Sequence, residues 1–465
     1  MKRTLKLTAL FLVSICAVTA QTKPKVYYVD LKNDQNPGKD FVKEYTPQEV
    51  EKKGRIRTIK LYPDIEFQKI DGVGGAFNEI GGEALMSLPE KLQDEVMQNI
   101  FSKDGAAFSF CRTAVGASDF GLDAYSYSEV ADDYKMKHFS IKREEKTVIP
   151  YIQKAYKYNP DLLLFASPWS PPAWMKYSGF MDRGEEFPDK NRLKDEPEIY
   201  EAYALYFSKY ISAYSKKNIK VDRLVVQNEN DANTKYPSCV MPPEQMGKFV
   251  KEYLKPQFEA DKIETEIWAG TFRTHGQLDA LEFAANKQYL DAFDGIGIQY
   301  TAQQYIQDLK NLVPQMKIMH TEGRCEDGRN TLGQAAKRLN EVAGYINYGV
   351  TNYCYWNMIL NETTESGWDW KQNSLINIDR QNKTVKYNPD FTVMALISKY
   401  LQPGSVRIAS SAPTTVITVK KDGKVFILVQ NNDDTPKIYN CQLVNEEPFE
   451  LQLPANSLSA VEITL

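Results

Sequence analysis

Two acidic side chains carry the chemistry that this sequence can do. Glu229 closes the run VDRLVVQNE (221–229), and Glu322 closes QMKIMHTE (315–322). Both runs are short, apolar and rich in β-branched residues, the pattern of a buried strand. Each Glu therefore stands at the C-terminal end of a strand. A pair of carboxyls held face to face is the equipment of glycoside hydrolysis. One keeps its proton for the leaving oxygen, and the other stays ionised to attack the anomeric carbon. A single strand-end Glu is ordinarily a solvated residue or half of a salt bridge. Asn228, directly before Glu229, adds an amide that can bond a sugar hydroxyl beside the reacting carbon.

Other chemistries have little support. The chain has three histidines, His138, His275 and His320, with no HExxH spacing between any two. No GxGxxG or GxxxxGK[ST] occurs. Neither a metal nor a cofactor is expected. A formal net charge of −4 offers no basic surface for nucleic acid. The 28 Tyr, 21 Phe and 6 Trp exceed what core packing alone suggests, and aromatic platforms often line concave ligand sites.

The two Glu lie 93 positions apart and need a frame that joins them. Eight strand-like runs supply one: 68–77, 107–116, 161–168, 221–229, 265–272, 293–300, 315–322 and 350–358. Helical patterns follow most of them, among them 83–102, 198–216, 243–259 and 333–347. Eight βα units imply a (β/α)8 TIM barrel, an α/β fold whose chemistry sits at the C-terminal ends of the strands. The alternative is a doubly wound open sheet, which usually carries a Gly-rich phosphate turn that is absent here. In a barrel, the ends of strands four and seven face each other across the mouth. The polar stretch 182–197 reads as a loop on that face.

The two ends of the chain alternate with period two. The segments are 415–420, 425–430, 438–443, 449–453 and 458–465, with further strand-like pieces at 26–31 and 56–61. Turn signals such as Asp422-Gly423 separate them. We expect an all-β sandwich formed by the C-terminus and completed by N-terminal strands. The expected division is residues 21–66 (strands joining the sandwich), 67–402 (barrel) and 403–465 (sandwich).

Residues 1–20 read as a signal peptide. Lys2, Arg3 and Lys6 precede an apolar stretch over 7–18, and Val18-Thr19-Ala20 offers a small-residue cleavage site. Export to the periplasm or beyond the cell follows. No other stretch is apolar enough for stable membrane insertion. Five cysteines remain after the leader, Cys111, Cys239, Cys325, Cys354 and Cys441. Their odd number and irregular spacing describe no disulfide framework.

Longer motifs bring a resemblance. The run Ser167-Pro168-Trp169-Ser170-Pro171-Pro172-Ala173-Trp174-Met175-Lys176 is similar to the SPWxxPxWMK run of glycoside hydrolase family 30. Gly72-Val73-Gly74-Gly75-Ala76-Phe77, Ser118-Asp119-Phe120, Tyr125-Ser126-Tyr127, Trp356-Asn357 and Gln372-Asn373-Ser374-Leu375-Ile376 resemble the same family, in the same order. The resemblance covers about residues 65 to 408. It implies a barrel with a β-sandwich fed by both termini, and a retaining β-glycosidase with Glu229 as acid/base and Glu322 as nucleophile. It also implies that Arg112, Asp119, Trp169, Asn228, Trp356 and Asn373 line the sugar pocket, and Tyr300 at the end of strand six is expected to contact the sugar beside them. Arg112 can hold a carboxylate by charge-assisted hydrogen bonds, Asp119 can accept from two sugar hydroxyls, and the two Trp can stack on a pyranose. The plainer readings are a structural ion pair for Arg112 and core positions for the Trp residues. Two departures stand out. Strand six ends Gln299-Tyr300-Thr301 where the family has His-Trp-Tyr, and Asn230 follows the acid/base where the family has Pro.

The expected substrate is a β-linked oligosaccharide or polysaccharide, with β-1,6-glucan first. A glucosylceramidase-type activity or another β-glycosidase (galactan, xylan, fucoside) is the alternative. A catalytically idle carbohydrate-binding protein and a transglycosylase are further alternatives. Endo or exo action and oligomeric state are not legible in the sequence.

Overall fold

The computed structural model describes residues 24–32, 42–50, 56–273 and 278–465. The leader and His275 lie outside the described residues.

Eight parallel strands form the central sheet. They are Gly72–Phe77, Phe110–Ala114, Leu163–Ser167, Arg223–Val225, Glu266–Arg273, Gly295–Gln299, Lys317–His320 and Asn352–Asn357. Strands one to seven pair in sequence order, and strand eight pairs with strand one. The circuit closes between strands seven and eight, where Gly323 N–H donates to Cys354 O at 2.7 Å. This is the expected (β/α)8 barrel, with a separate β-rich region beside it.

Alternation of side chains along each strand decides what fills the barrel and what stands above the filling. Phe110, Phe165, Val225, Trp268, Met319 and Cys354 form one buried cluster, drawn from strands two, three, four, five, seven and eight. The residues two positions further on rise above this plug toward the C-terminal mouth. They are Arg112 after Phe110, Ser167 after Phe165, Gln227 after Val225 and Trp356 after Cys354. The intervening residues Cys111, Ala166, Val226 and Tyr355 face outward into the helix layer.

The helices follow their local signals with corrections to the expected bounds. The run expected at 83–102 is two helices, Glu79–Met86 and Glu90–Phe101. Pro89 separates them, because it cannot donate an N–H within a continuing helix. Asn78 caps the first, accepting from Gly81 N–H at 2.7 Å. The helices Pro197–Ser215 and Pro243–Phe249 both begin with Pro at the first position, where its fixed φ helps and its missing donor is harmless. Beyond Phe249 the helix continues through a π turn at Val250–Leu254 into Lys255–Asp261. The run expected at 333–347 divides into Leu332–Ala335 and Arg338–Ile346. The strand expected at 68–77 also spans two elements. Gln68 and Lys69 end a long strand of the neighbouring sheet, Arg57–Lys69, and the barrel strand starts at Gly72. Gly72 takes φ +141, and a Cβ there would lie 2.5 Å from Ser109 Oγ.

The neighbouring β-region is one nine-stranded sheet recruiting both ends of the chain. Lys25–Asp30, Lys43–Glu44 and Arg57–Lys69 join Val406–Ser410, Ile417–Lys421, Lys424–Asn431, Lys437–Leu443, Phe449–Leu453 and Ser457–Thr464. Strands near both edges contribute to a core of its own, including Val26, Ile59, Val425, Ile427, Leu451, Val461 and Ile463. The alternate residues Leu428, Leu458 and Ala460 belong to the core of the barrel's helix layer. Period-two burial on both faces thus fastens the sheet to the barrel. All five described cysteines are buried and free. Among the described residues, no helix is long and apolar enough to cross a membrane.

Candidate active site

The plug ends one layer below the mouth, and the next layer is polar. Arg112 is fully buried there and spends its guanidinium on four partners. Nε and Nη2 donate to Ser167 Oγ at 3.0 and 2.8 Å, and Nη2 donates to Asn228 Oδ1 at 2.7 Å. Nη1 donates to Thr321 O at 3.1 Å and to Glu322 Oε2 at 2.7 Å. Its carbon centre lies 4.4 Å from the Trp169 ring and 5.2 Å from the Trp356 ring. Those two rings stack at 4.9 Å. Burying an unpaired guanidinium is costly, and full hydrogen bonding with aromatic faces offsets that cost.

Glu322 follows strand seven by two residues. Besides Arg112, it accepts from the Tyr300 hydroxyl on its other oxygen. Donors thus engage both of its oxygens. Tyr300 itself takes φ 52 just past strand six.

Glu229 is reached by a sharp turn after strand four, with φ 44. Left-handed backbone costs a non-glycine residue about 1 kcal/mol or more. The turn is held by Glu229 N–H donating to Thr271 Oγ1 at 2.9 Å and by Ala232 N–H donating to Glu229 O at 2.8 Å. Arg273 Nη1 donates to Glu229 Oε2 and Gln299 Nε2 to Oε1, both at 3.1 Å. Burial pushes the Glu229 carboxyl up to about 7. The Arg273 charge opposes the rise and the Glu322 charge adds to it. Asp119 is pushed well up by burial first, and then by Glu322 and Glu229. Its Oδ1 has no hydrogen-bond partner among the described residues. A buried carboxylate oxygen left open toward a cavity is a place for a ligand hydroxyl.

One cavity of about 430 Å³ gathers Glu229, Glu322, Asp119, Trp169, Asn228 and Tyr300. Arg112 and Trp356 lie beneath its floor, both fully buried. Asn373 is set behind its wall and is fully buried too. Its Oδ1 accepts from Asn330 N–H at 3.1 Å, and its Nδ2 donates to Glu326 and Gln334, each at 3.2 Å. The neighbouring Gln372 reaches the cavity instead. Arg273, Tyr236, Arg324 and Trp370 also line it, and sequence reasoning did not single them out. Arg273 ends strand five, so the strand-end rule that found the two Glu would have found it. Tyr236 and Trp370 stand in loops without periodicity and left no such signal. The two departures have defined partners. Gln299 bonds Glu229, and Asn230 Nδ2 donates to Asp279 Oδ2 at 2.6 Å.

Known proteins share this architecture. The glycosyl hydrolase family 30 TIM-barrel domain matches residues 70–401. Lysosomal acid glucosylceramidase of Mus musculus is 25% identical over 411 residues, 81% of this chain and 78% of that protein. Endo-1,6-beta-D-glucanase BGN16.3 of Trichoderma harzianum is 29% identical over 212 residues, 43% of each chain. The crystal structure of SrfJ from Salmonella typhimurium superposes with a TM-score of 0.84 at 24% identity, covering 95% of this chain and 99% of that one. With a family match across most of its length and paired carboxyls in one barrel mouth, the chain belongs to glycosyl hydrolase family 30 and is a glycosidase.

Proposed function

We propose that this glycosidase cleaves β-glucosidic bonds by double displacement. Glu322 attacks the anomeric carbon while Glu229 gives its proton to the departing oxygen. Glu229 then takes a proton from water, and that water releases the sugar with its β configuration kept. The observation that carries this reading is the meeting of the two carboxyls in one cavity. Glu229 is pushed up to about 7 and holds a proton near neutrality, and Glu322 pairs with the fully buried Arg112 at 2.7 Å. Arg112 and Tyr300 orient the nucleophile. Asp119 and Asn228 bond hydroxyls of the bound ring, and Trp169, backed by Trp356, supplies its apolar wall. Asn373 braces the loop that presents Gln372.

The reading favours a β-linked glucan, with the β-1,6 linkage first. The likeness to a β-1,6-glucanase supports it. So does the leader-like segment at 1–20, since an exported enzyme meets polysaccharide more readily than sphingolipid. The likeness to a glucosylceramidase supports a lipid glucoside as the second reading. Proton NMR of the first product tests the mechanism. The β-anomer is expected, and an α-anomer overturns double displacement. A panel of β-linked glucans, galactans and xylans, run beside glucosylceramide, tests the substrate.

A further inference from the structure

The proposed chemistry uses one end of the cavity and leaves its aromatic rim without a role. Trp370 lines the same cavity as the two Glu, yet 39% of its surface is exposed. Its ring centroid lies 6.3 Å from that of Tyr236, at an interplanar angle of 52°. The indole stands on a hairpin with defined partners. Ser366 N–H donates to Trp370 O at 2.9 Å, and Lys371 pairs with Glu365 at 2.8 Å. Gly367 N–H donates to Gly121 O at 3.0 Å, and a Cβ on Gly367 would sit 2.1 Å from Leu122 O. Trp368 Nε1 donates to Asp182 Oδ2 at 3.3 Å. The hairpin is thereby tied to the loop that carries Asp119 and to the 182–197 loop.

We propose that Trp370 and Tyr236 form a second sugar subsite, which receives the pyranose on the leaving-group side of the bond being cut. This inference rests on the glycosidase reading and names the substrate class it prefers. Three observations support it. Tyr236 stands seven residues after Glu229 in the same loop, and of the cavity's carboxyls it is Glu229 that most strongly raises its hydroxyl. The acid/base side is the leaving-group side. The aromatic faces sit among polar groups, Arg273, Arg324 and Gln372. A pyranose needs that mixture, with C–H bonds on an aromatic face and hydroxyls in reach of donors and acceptors. A ceramide chain would need a continuous apolar channel. The subsite is also preformed, so little ordering cost opposes its use.

The test compares two substrates in wild type, Trp370→Ala and Trp370→Phe. β-Glucosyl fluoride fills only the one-ring site, because its leaving group is a single atom. The second substrate is whichever β-linked glucose disaccharide or trisaccharide the wild type cleaves fastest. Trp370→Ala should lower kcat/KM for the oligosaccharide about tenfold or more and leave the fluoride within about twofold. Trp370→Phe should restore most of the loss. Equal losses on both substrates, or no loss on the oligosaccharide, overturn the subsite. Wild type that turns over the fluoride but no oligosaccharide also overturns it, as does a Trp370→Ala defect confined to detergent-dispersed glucosylceramide. Wild type inactive on every glycoside, fluoride included, would instead overturn the glycosidase reading beneath it.

Discussion

Two buried glutamates in this protein are pushed up to about 7, and they serve different ends. Glu229 stands in the barrel mouth. Glu144 lies in a short 3-10 turn, Lys142–Lys146, beside the ends of barrel strands one and two. Burial is the leading cause for both. Glu144 is sealed by three tyrosines. Tyr125 and Tyr127 donate to Oε1 at 2.7 Å each, and Tyr214 donates to Oε2 at 2.5 Å. The space beside it is about 10 Å³, room for one water at most, against about 430 Å³ beside Glu229. A displaced carboxyl alone is therefore no mark of catalysis. Access makes the difference. Glu229 has a second carboxyl and room for a ring, whereas Glu144 has only its cage.

The comparison can be broken or sharpened by substitution, and the largest effect should come from the nucleophile. Glu322→Gln should lower kcat by more than about 10⁴-fold while sugar binding survives, as read by turnover beside calorimetric binding. A variant that still turns over would remove Glu322 from the mechanism. Glu229→Gln should cost about 10²–10⁴-fold on substrates with poor leaving groups. Glu144→Gln should stay within about threefold of wild type, because no substrate touches it. Matching losses at 144 and 229 would erase the distinction drawn here.

The pH dependence separates the same pair. Glu229 must carry its proton in the free enzyme, so kcat/KM should fall as pH rises through about 7. That limb should persist unchanged in Glu144→Gln. Glu144 should act on stability instead. Its folded-state value lies above the ordinary 4.5, so the folded form binds the proton more tightly than the unfolded chain does. That contribution is full below about 4.5 and is lost as pH rises through about 7. Wild type should lose up to about 3 kcal/mol more than Glu144→Gln across this window, as read from urea midpoints. Parallel pH curves for the two proteins would contradict it. The smallest effect belongs to a single cage member. Tyr214→Phe removes one of three donors and should cost about 1 kcal/mol of stability with turnover unchanged.

Much of the frame was legible because burial leaves periodic traces. All eight barrel strands are short runs of largely buried residues, and the two Glu stand where such runs end. Side-chain alternation also places Arg112 above Phe110 and Trp356 above Cys354. Pro89 was a readable helix break that a wider apolar pattern concealed. Tyr236 and Trp370 were not legible, because loop residues reach a cavity through turns such as those at Thr364 and Asp369, both with positive φ. Nothing in spacing predicts where such turns aim a side chain. Asn373 and Gln372 show the limit well. They are adjacent in the chain, yet one faces the cavity and the other the wall behind it.

The β-sheet beside the barrel imposes an order on folding. Ser457–Thr464 inserts between Lys424–Asn431 and Lys25–Asp30, pairing with both. It also sends Leu458 and Ala460 toward the barrel, and Val461 and Ile463 into the sheet's own core. A ribosome makes Lys25–Asp30 more than four hundred residues before this partner. The early strand must therefore wait, with one flank open, until translation has passed the entire catalytic barrel. Contacts so distant in sequence form slowly, which makes Ser457–Thr464 the latch of the assembly.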